Sequence, residues 1–435
     1  MATPAKVREQ AARARHDALE ARLGALTMPG GGGWITAARE AALGRLRAAG
    51  LPHKRDEYWK FTDPGPLVQP APAPLGPGDT HDADSAFGEI DRVQLVFVDG
   101  VFDPAQSDDP RLGGVEITRL RDAAHKDLHW ARGLYGVLEA RGQAPVPRPL
   151  ATLNTAFARD GVLIRATGRA EKPVSLVYRQ ARADSDTHIH HCIRVEPGAD
   201  LTVLENGSGA LRTNTVLEVD VATHGAFHHV RVQGGASAPP ALAHVFARVA
   251  RASRFKSFTL TANGVLTRNE SVVEVVGDDA VAHVASACLG EGDVHHDDTV
   301  FLTHDAARCE SRQVVKKVLR DGAVGAFQGK ILVRPDAQKT DGYQISQALL
   351  LDEDSQFLAK PELEIHADDV ACSHGSTSGA LDAEGLFYLR ARGIPEDQAI
   401  DLMILAFLAE AIAEIDDAAI AAAITAHLEA LLGTS

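Results

Sequence analysis

"GADLTVLEN" (198–206), "GAFHHVRV" (225–232), "ASRFKSFTL" (252–260) and "DAVAHVASA" (279–287) are built alike. Each opens on a corner of small or turn-forming residues and runs on into alternating side chains, as expected of a strand with one face on a core. Further corners follow at "DAA" (305–307), "GAV" (322–324), "DAQ" (336–338), "DSQ" (354–356) and "DDV" (368–370). The central residues, Ala199, Ala226, Ser253, Ala280, Ala306, Ala323, Ala337, Ser355 and Asp369, are separated by 27, 27, 27, 26, 17, 14, 18 and 14 residues. Such a period predicts stacked coils whose inward Val, Leu and Ile side chains lie on those of the next coil. Parallel crossovers being right-handed, the expected core is a right-handed parallel β-helix, or β-solenoid. An antiparallel β-sandwich with evenly spaced turns has the same local chemistry and stands as the competing architecture.

Working outward, the chain reads as mainly β with helical ends. Residues 1–62 form an N-terminal helical region in which "PGGGG" (29–33) separates two Ala-, Arg- and Leu-rich helices. Residues 63–80 hold a proline-rich linker, "DPGPLVQPAPAPLGPGD", expected to be extended rather than helical. Residues 81–149 combine a hairpin, turning at Asp99-Gly100, with a helical stretch over 115–145. The β-helix core is expected over 150–380 and a C-terminal helical domain over 381–435. There Asp382 is placed as an N-cap, and Pro395 opens a helix carrying Ile400, Ile404, Phe407 and Leu408. Two such helices cannot build a core alone and must bury one face on the solenoid or on another subunit.

Composition excludes several classes. The 435 residues are 45% apolar and 24% charged, as in a globular protein, and the formal charge is -15. No basic block offsets that charge, so neither nucleic acid nor an anionic membrane is an expected partner. The four cysteines, Cys192, Cys288, Cys309 and Cys372, form no C-x-x-C pair, which points to a reducing, cytoplasmic setting. The first 23 residues offer no apolar signal core, and "LMILAFLA" (402–409) is too short to span a bilayer.

Candidate chemistry is sparse. "GAVGAFQGKI" (322–331) lacks the first glycine and the closing Ser or Thr of a P-loop, and no common catalytic template is present. Histidines cluster at 188–191, 228–229 and 295–296. On a strand His188 and His190 share one face while His191 points to the other, and His295 pairs with Asp297, which admits a His-rich metal store. A carbohydrate-active β-helix would need converging carboxylates. Its candidates, Asp278 with Asp279 and Asp297 with Asp298, are sequence neighbours that face opposite ways in a regular strand. Finally "ADDVACSHGSTSG" (367–379) sets Cys372 and His374 on one face, about 7 Å apart at a rise of roughly 3.3 Å per residue, near enough to ligate one metal or share a proton. A buried thiol beside a hydrogen-bonded imidazole would give the same pattern.

The segment 367–412, with "FQGKILV" (327–333), "KTDGYQISQALLL" (339–351), "KPELEI" (360–365), "LPHKRDEYWKFTD" (51–63) and "LATLNTAFARDGVLI" (150–164), resembles the SufD family. That family is a subunit of the Suf iron-sulfur cluster assembly scaffold, and "CSHGSTSG" separates it from the paralogous SufB. The resemblance implies a non-catalytic subunit of a complex with SufB and two copies of SufC, the ATPase activity residing in SufC. It places His374 and Cys372 at the cluster-assembly interface with SufB, with transient metal contact. It assigns Leu386, Phe387, Tyr388, Arg390, Arg392, Gly393, Ile394 and Pro395 to the ATPase-docking surface. A transient iron-sulfur cluster at the SufB interface and reduced flavin in the complex are implied, with no cofactor held tightly by the isolated chain. Alone, such a chain is expected to pair as a homodimer through its open strand edges.

Overall fold

The computed structural model describes residues 4–71, 86–182, 184–207, 210–235 and 238–433. Its centre is two stacked sheets, one of ten strands and one of nine, visited alternately so that each coil gives one strand to each. The ladders between successive coils are parallel: Arg254 pairs with Val281 and Leu266 with His295. This is the β-solenoid, and the parallel registers exclude the sandwich. The corner residues explain themselves. Ala199, Ala226, Ser253 and Ala280, all buried, each lead into the next strand of the ten-stranded sheet, so their period is one full coil. Farther on, Ala323 and Ser355 lead into the nine-stranded sheet and Ala337 and Asp369 into the ten-stranded one, which halves the spacing.

Between the sheets the inward residues stack in register. Leu201, Phe227, Phe255 and Ala282 form one such row, with the Phe227 and Phe255 rings stacked at 5.8 Å. All four are fully buried, each large side chain contributing about 1.5–3 kcal/mol. The outer faces are covered by helices. Gly33–Ala49 and Pro149–Phe157 pack over the nine-stranded sheet through Ala42, Leu46, Leu150 and Leu153 against Leu242 and Leu266. Glu396–Ile412 and Ala418–Leu432 lay Ile404, Leu408, Ile424 and Leu428 on Val230, Phe258 and Leu260 of the ten-stranded sheet. The apolar C-terminal helices thus find their core on the solenoid.

Two expectations need correction, the helical start at 115 and the wholly extended proline-rich stretch, while the hairpin stands as expected. Val115–Arg119, read as the start of a helical stretch, is a strand antiparallel to Val162–Ala166, because its Val and Ile complete the first coil of the nine-stranded sheet. Val93–Val98 forms its hairpin with Val101–Phe102 through Asp99 and Gly100, both at positive φ. It also pairs in parallel with Val174–Arg179, so the hairpin segment and the solenoid share one ladder. Within the proline-rich stretch, Gly65–Val68 is a short helix, compatible with Pro66 at its first turn; residues 72–85 lie outside the described residues. Among the described residues no helix is long and apolar enough to cross a membrane.

The interior is not wholly apolar. His304, fully buried, bonds Ser311 Oγ at 2.9 Å, and burial pushes its imidazole down to about 4. His188, His191 and His244 are pushed to about 4 and His296 to about 3, chiefly by burial. A base held neutral in the fold but free to protonate at about 6.5 when unfolded contributes stability that is complete above that pH and lost as pH falls toward 4. Urea midpoints should therefore drop between pH 7 and pH 5, by on the order of 1–2 kcal/mol per such histidine. His304→Gln should flatten that slope; an unchanged slope would contradict its assignment as a buried neutral group.

Candidate functional site

The strand Ala371–Gly379 is the last of the ten-stranded sheet and pairs on one side only, with Asp341–Leu350. Cys372 lies opposite Gly342 and His374 opposite Gln344. Gly342, Gln344, Ser346 and Ala348 face the solenoid interior and are buried. Cys372, His374, Ser376 and Ser378 continue that same inward row, but no coil follows them, so His374 is exposed and Cys372 only half-buried. The thiol and the imidazole therefore sit on one face, as expected, at the open end of the stack. A Cβ at Gly342 would lie 3.2 Å from Cys372 Sγ, so glycine makes room for the thiol. Partial burial pushes the Cys372 thiol up from its ordinary value. The other three cysteines are buried, and Cys372 is the one thiol of the four with access to solvent.

The two strands that end the solenoid differ as edges. Gln356–Ile365 carries Pro361, together with Lys360, Glu362 and Glu364, of which Lys360 pairs with Glu57 at 2.6 Å and Glu362 accepts from Tyr58 Oη at 2.5 Å. Proline and charges blunt a strand edge. Ala371–Gly379 has neither proline nor any acidic or lysine side chain, and its backbone edge is open to a further strand. The opposite end of the stack, by contrast, is closed by the Val93–Phe102 hairpin and the antiparallel Val115–Arg119.

Beside the open end stands the helix Ala383–Ala391, with no buried residue. Phe387 and Tyr388 are 74% and 57% exposed, against the usual burial of aromatic rings. Arg392 caps the patch, its Nη2 donating to Tyr388 Oη at 2.8 Å, and Arg390 pairs with Glu396 at 3.1 Å. Gly393 takes a positive φ that ends the helix, Leu386 and Ile394 are half-buried, and Pro395 caps the next helix.

The histidine clusters are structural. His188 bonds Arg22, whose other amine pairs with Asp186 at 2.6 Å. His190 Nδ1 meets Asn154 Oδ1 at 3.1 Å and its Nε2 meets Glu218 Oε1 at 2.8 Å, all fully buried. Glu218 also accepts the backbone N–H groups of Gly136, Leu138 and Glu139, capping a short helix. His190, Cys192 and Glu218 are the closest set of metal-type ligands among the described residues, yet the imidazole and carboxylate are spent on protein partners and burial pushes the Cys192 thiol well up. On the other face His191 bonds Tyr178 Oη, which donates to Glu205; His229 and Arg231 reach the same carboxylate at 3.1 and 3.3 Å. Burial alone would raise Glu205, but Arg231 and His229 more than reverse it. His228 contacts Asp416 at 3.7 Å, and His295 meets Thr62 Oγ1 at 2.9 Å beside Asp297. His296 bonds Cys288 and the Asn263 carbonyl. Sequence reasoning missed Glu218, Glu205 and Asn154 because their partners lie in other coils.

The carboxylate pairs of the hydrolase reading do not converge on a cleft. Asp278 and Asp279 share Arg308 at a turn, at 2.9 and 2.7 Å. Asp297 is tied to Arg268 on the outer face of its sheet, whereas Asp298 bonds Lys317 inside at 2.5 Å.

The family model described as "SUF system FeS cluster assembly, SufBD core domain" matches residues 178–407. The chain is 29% identical over 377 residues to the iron-sulfur cluster assembly protein SufD of Escherichia coli, covering 85% of this chain and 86% of that protein. It is 28% identical over 405 residues to a SufBD family protein of Synechocystis, 87% and 86% of the two chains, and 26% identical over 276 residues to SufD of Bacillus subtilis, 61% and 63%.

Glu218→Ala strands a buried imidazole and three N–H groups and should cost about 3–5 kcal/mol in urea unfolding. Zinc added to the wild-type chain should leave Tm unchanged. A saturable rise in Tm with zinc, abolished by His190→Ala, would restore the metal-store reading.

Proposed function

The chain belongs to the SufD family of iron-sulfur cluster assembly proteins, and from that premise we propose that it is a non-catalytic scaffold subunit that pairs with a SufB-like paralogue through its last coil. The observation that carries this reading is the uncapped strand Ala371–Gly379, which offers an open backbone edge and a row of inward side chains with nothing beyond them. A solenoid ending this way leaves unpaired N–H and C=O groups that a second solenoid can satisfy by strand addition. On that interface His374 supplies an imidazole and Cys372 a thiol, both suited to ligate the iron of a cluster under construction. The thiol must lose its proton to ligate, and neighbouring iron would favour that loss. In the absence of the paralogue, a second copy of this chain takes the same edge.

The exposed Phe387 and Tyr388, framed by Arg390, Arg392, Ile394 and Pro395, form the surface proposed for the SufC-like ATPase. Aromatic and arginine side chains at the centre of a small patch are the groups that dominate interface energies. Movement of the ATPase would shift the helix Ala383–Ala391, which follows the Cys372–His374 strand by a few residues, and so bias the state of the interface. Reduced flavin is not assigned a step: the cavity of about 590 Å³ beside residues 29–31 is lined by no Phe, Tyr or Trp ring on which an isoalloxazine would stack.

Anaerobic co-expression with SufB and SufC tests the proposal. His374→Ala should assemble the complex but lose most of the visible cluster absorption, iron and sulfide, and Cys372→Ser should lose less. Phe387→Ala should weaken SufC binding more than about tenfold while leaving SufB pairing intact. Full cluster content in His374→Ala would remove the imidazole from the assembly chemistry.

A further inference from the structure

The "PGGGG" break does more than separate two helices. Gly32 N–H donates to the Ala124 carbonyl at 2.6 Å, and a Cβ on Gly31 would lie 2.4 Å from Ile35 Cγ2, so the loop is pressed against the body of the protein where a side chain would collide. Arg39 reaches beneath it. Its Nη1 donates to the carbonyls of Pro29 and Gly30 at 2.9 and 3.2 Å, and its Nη2 to that of Ala158 at 3.0 Å. The side chain is 2% exposed, its Nε has no hydrogen-bond partner, and no carboxylate neutralises it. Its partners are uncharged: these carbonyls and the Tyr135 phenol.

Over this buried charge opens the cavity of about 590 Å³, lined by the loop together with Arg39, Arg121, His125, Arg159 and Asp160. The one acid is already committed: Asp160 Oδ2 takes Arg119 at 2.8 and 2.6 Å and the Phe102 N–H at 3.1 Å, and Oδ1 takes the Gly161 N–H. Arg121 and Arg159 are exposed and enter no ion pair among the described residues. Three guanidiniums without carboxylate partners thus surround one concavity in a chain of formal charge -15. Many arginines elsewhere are ion-paired, as Arg148 is with Glu270, Arg248 with Asp220 and Arg308 with Asp279.

We propose that this cavity binds a small molecule carrying a diphosphate group. Arg121 and Arg159 would grip its oxygens with their planar forks, Arg39 would supply fixed positive charge below, and the side-chain-free loop would let the anion approach backbone. The concave shape and modest volume fit a small molecule, whereas the chain's net charge opposes a nucleic-acid strand. This site lies on the N-terminal helical side of the molecule and is independent of the Cys372–His374 strand.

Calorimetric titration of the full chain with sodium pyrophosphate, at ionic strength held constant, tests it, with orthophosphate and sulfate as comparators. The expected result is saturable one-to-one pyrophosphate binding at least about tenfold tighter than orthophosphate, reduced at least about tenfold in Arg121→Ala/Arg159→Ala. Both arginines are exposed, so the double variant should keep the wild-type Tm in the absence of ligand, and Arg111→Ala, a surface control, should bind as wild type. Absence of saturable binding, orthophosphate binding as tightly as pyrophosphate, or undiminished binding by the double variant would overturn the proposal.

Discussion

A parallel, in-register ladder satisfies each strand's backbone only by handing the next set of N–H and C=O groups to a further coil. The architecture of this protein follows from that constraint. Inward rows such as Leu201, Phe227, Phe255 and Ala282 gain by stacking, so coils add readily, but the stack cannot end itself. At the beginning the chain solves the problem with antiparallel strands, Val101–Phe102 and Val115–Arg119, and with the helices that cover the nine-stranded sheet. At the other end it leaves Ala371–Gly379 uncovered among the described residues. The asymmetry makes one terminus structural and the other available for association.

The same logic separates the two kinds of histidine. Those between the sheets, His191, His229 and His304, and His190 beneath the covering helix, are used to satisfy carboxylates, hydroxyls and backbone groups that a solenoid inevitably buries. Most are held neutral by burial or tied to a carboxylate, and they have little left to offer a metal. His374 differs only in position: it continues an inward row past the last coil, where its ring meets solvent instead of a neighbour.

Much of this was legible in the sequence, and the limits are physical. The corners at Ala199, Ala226, Ser253 and Ala280 betrayed the coil because tight turns between stacked layers admit only small residues there. The face shared by Cys372 and His374 followed from strand alternation alone, though their roles rested on family resemblance. Val115–Arg119 was obscured because a five-residue strand takes its identity from the ladder it joins, not from its helix-prone neighbours. The partners of Glu218, Glu205 and Asp298 were out of reach because each lies on a different strand, 19 to 28 residues away in sequence. The glycine loop signalled a break, while the unpaired arginines around it became a site only once folding had gathered Arg39, Arg121 and Arg159.

The central claim is that the last strand is an unfinished edge awaiting another chain. Hydrogen–deuterium exchange of amides 371–379, followed with and without a SufB-like partner, addresses it most directly. The account predicts fast exchange at the outward N–H groups where the chain alone is dilute enough to be monomeric, and strong protection once it pairs with the SufB-like chain or with a second copy. Association that leaves those amides exchanging at their free rate would contradict it.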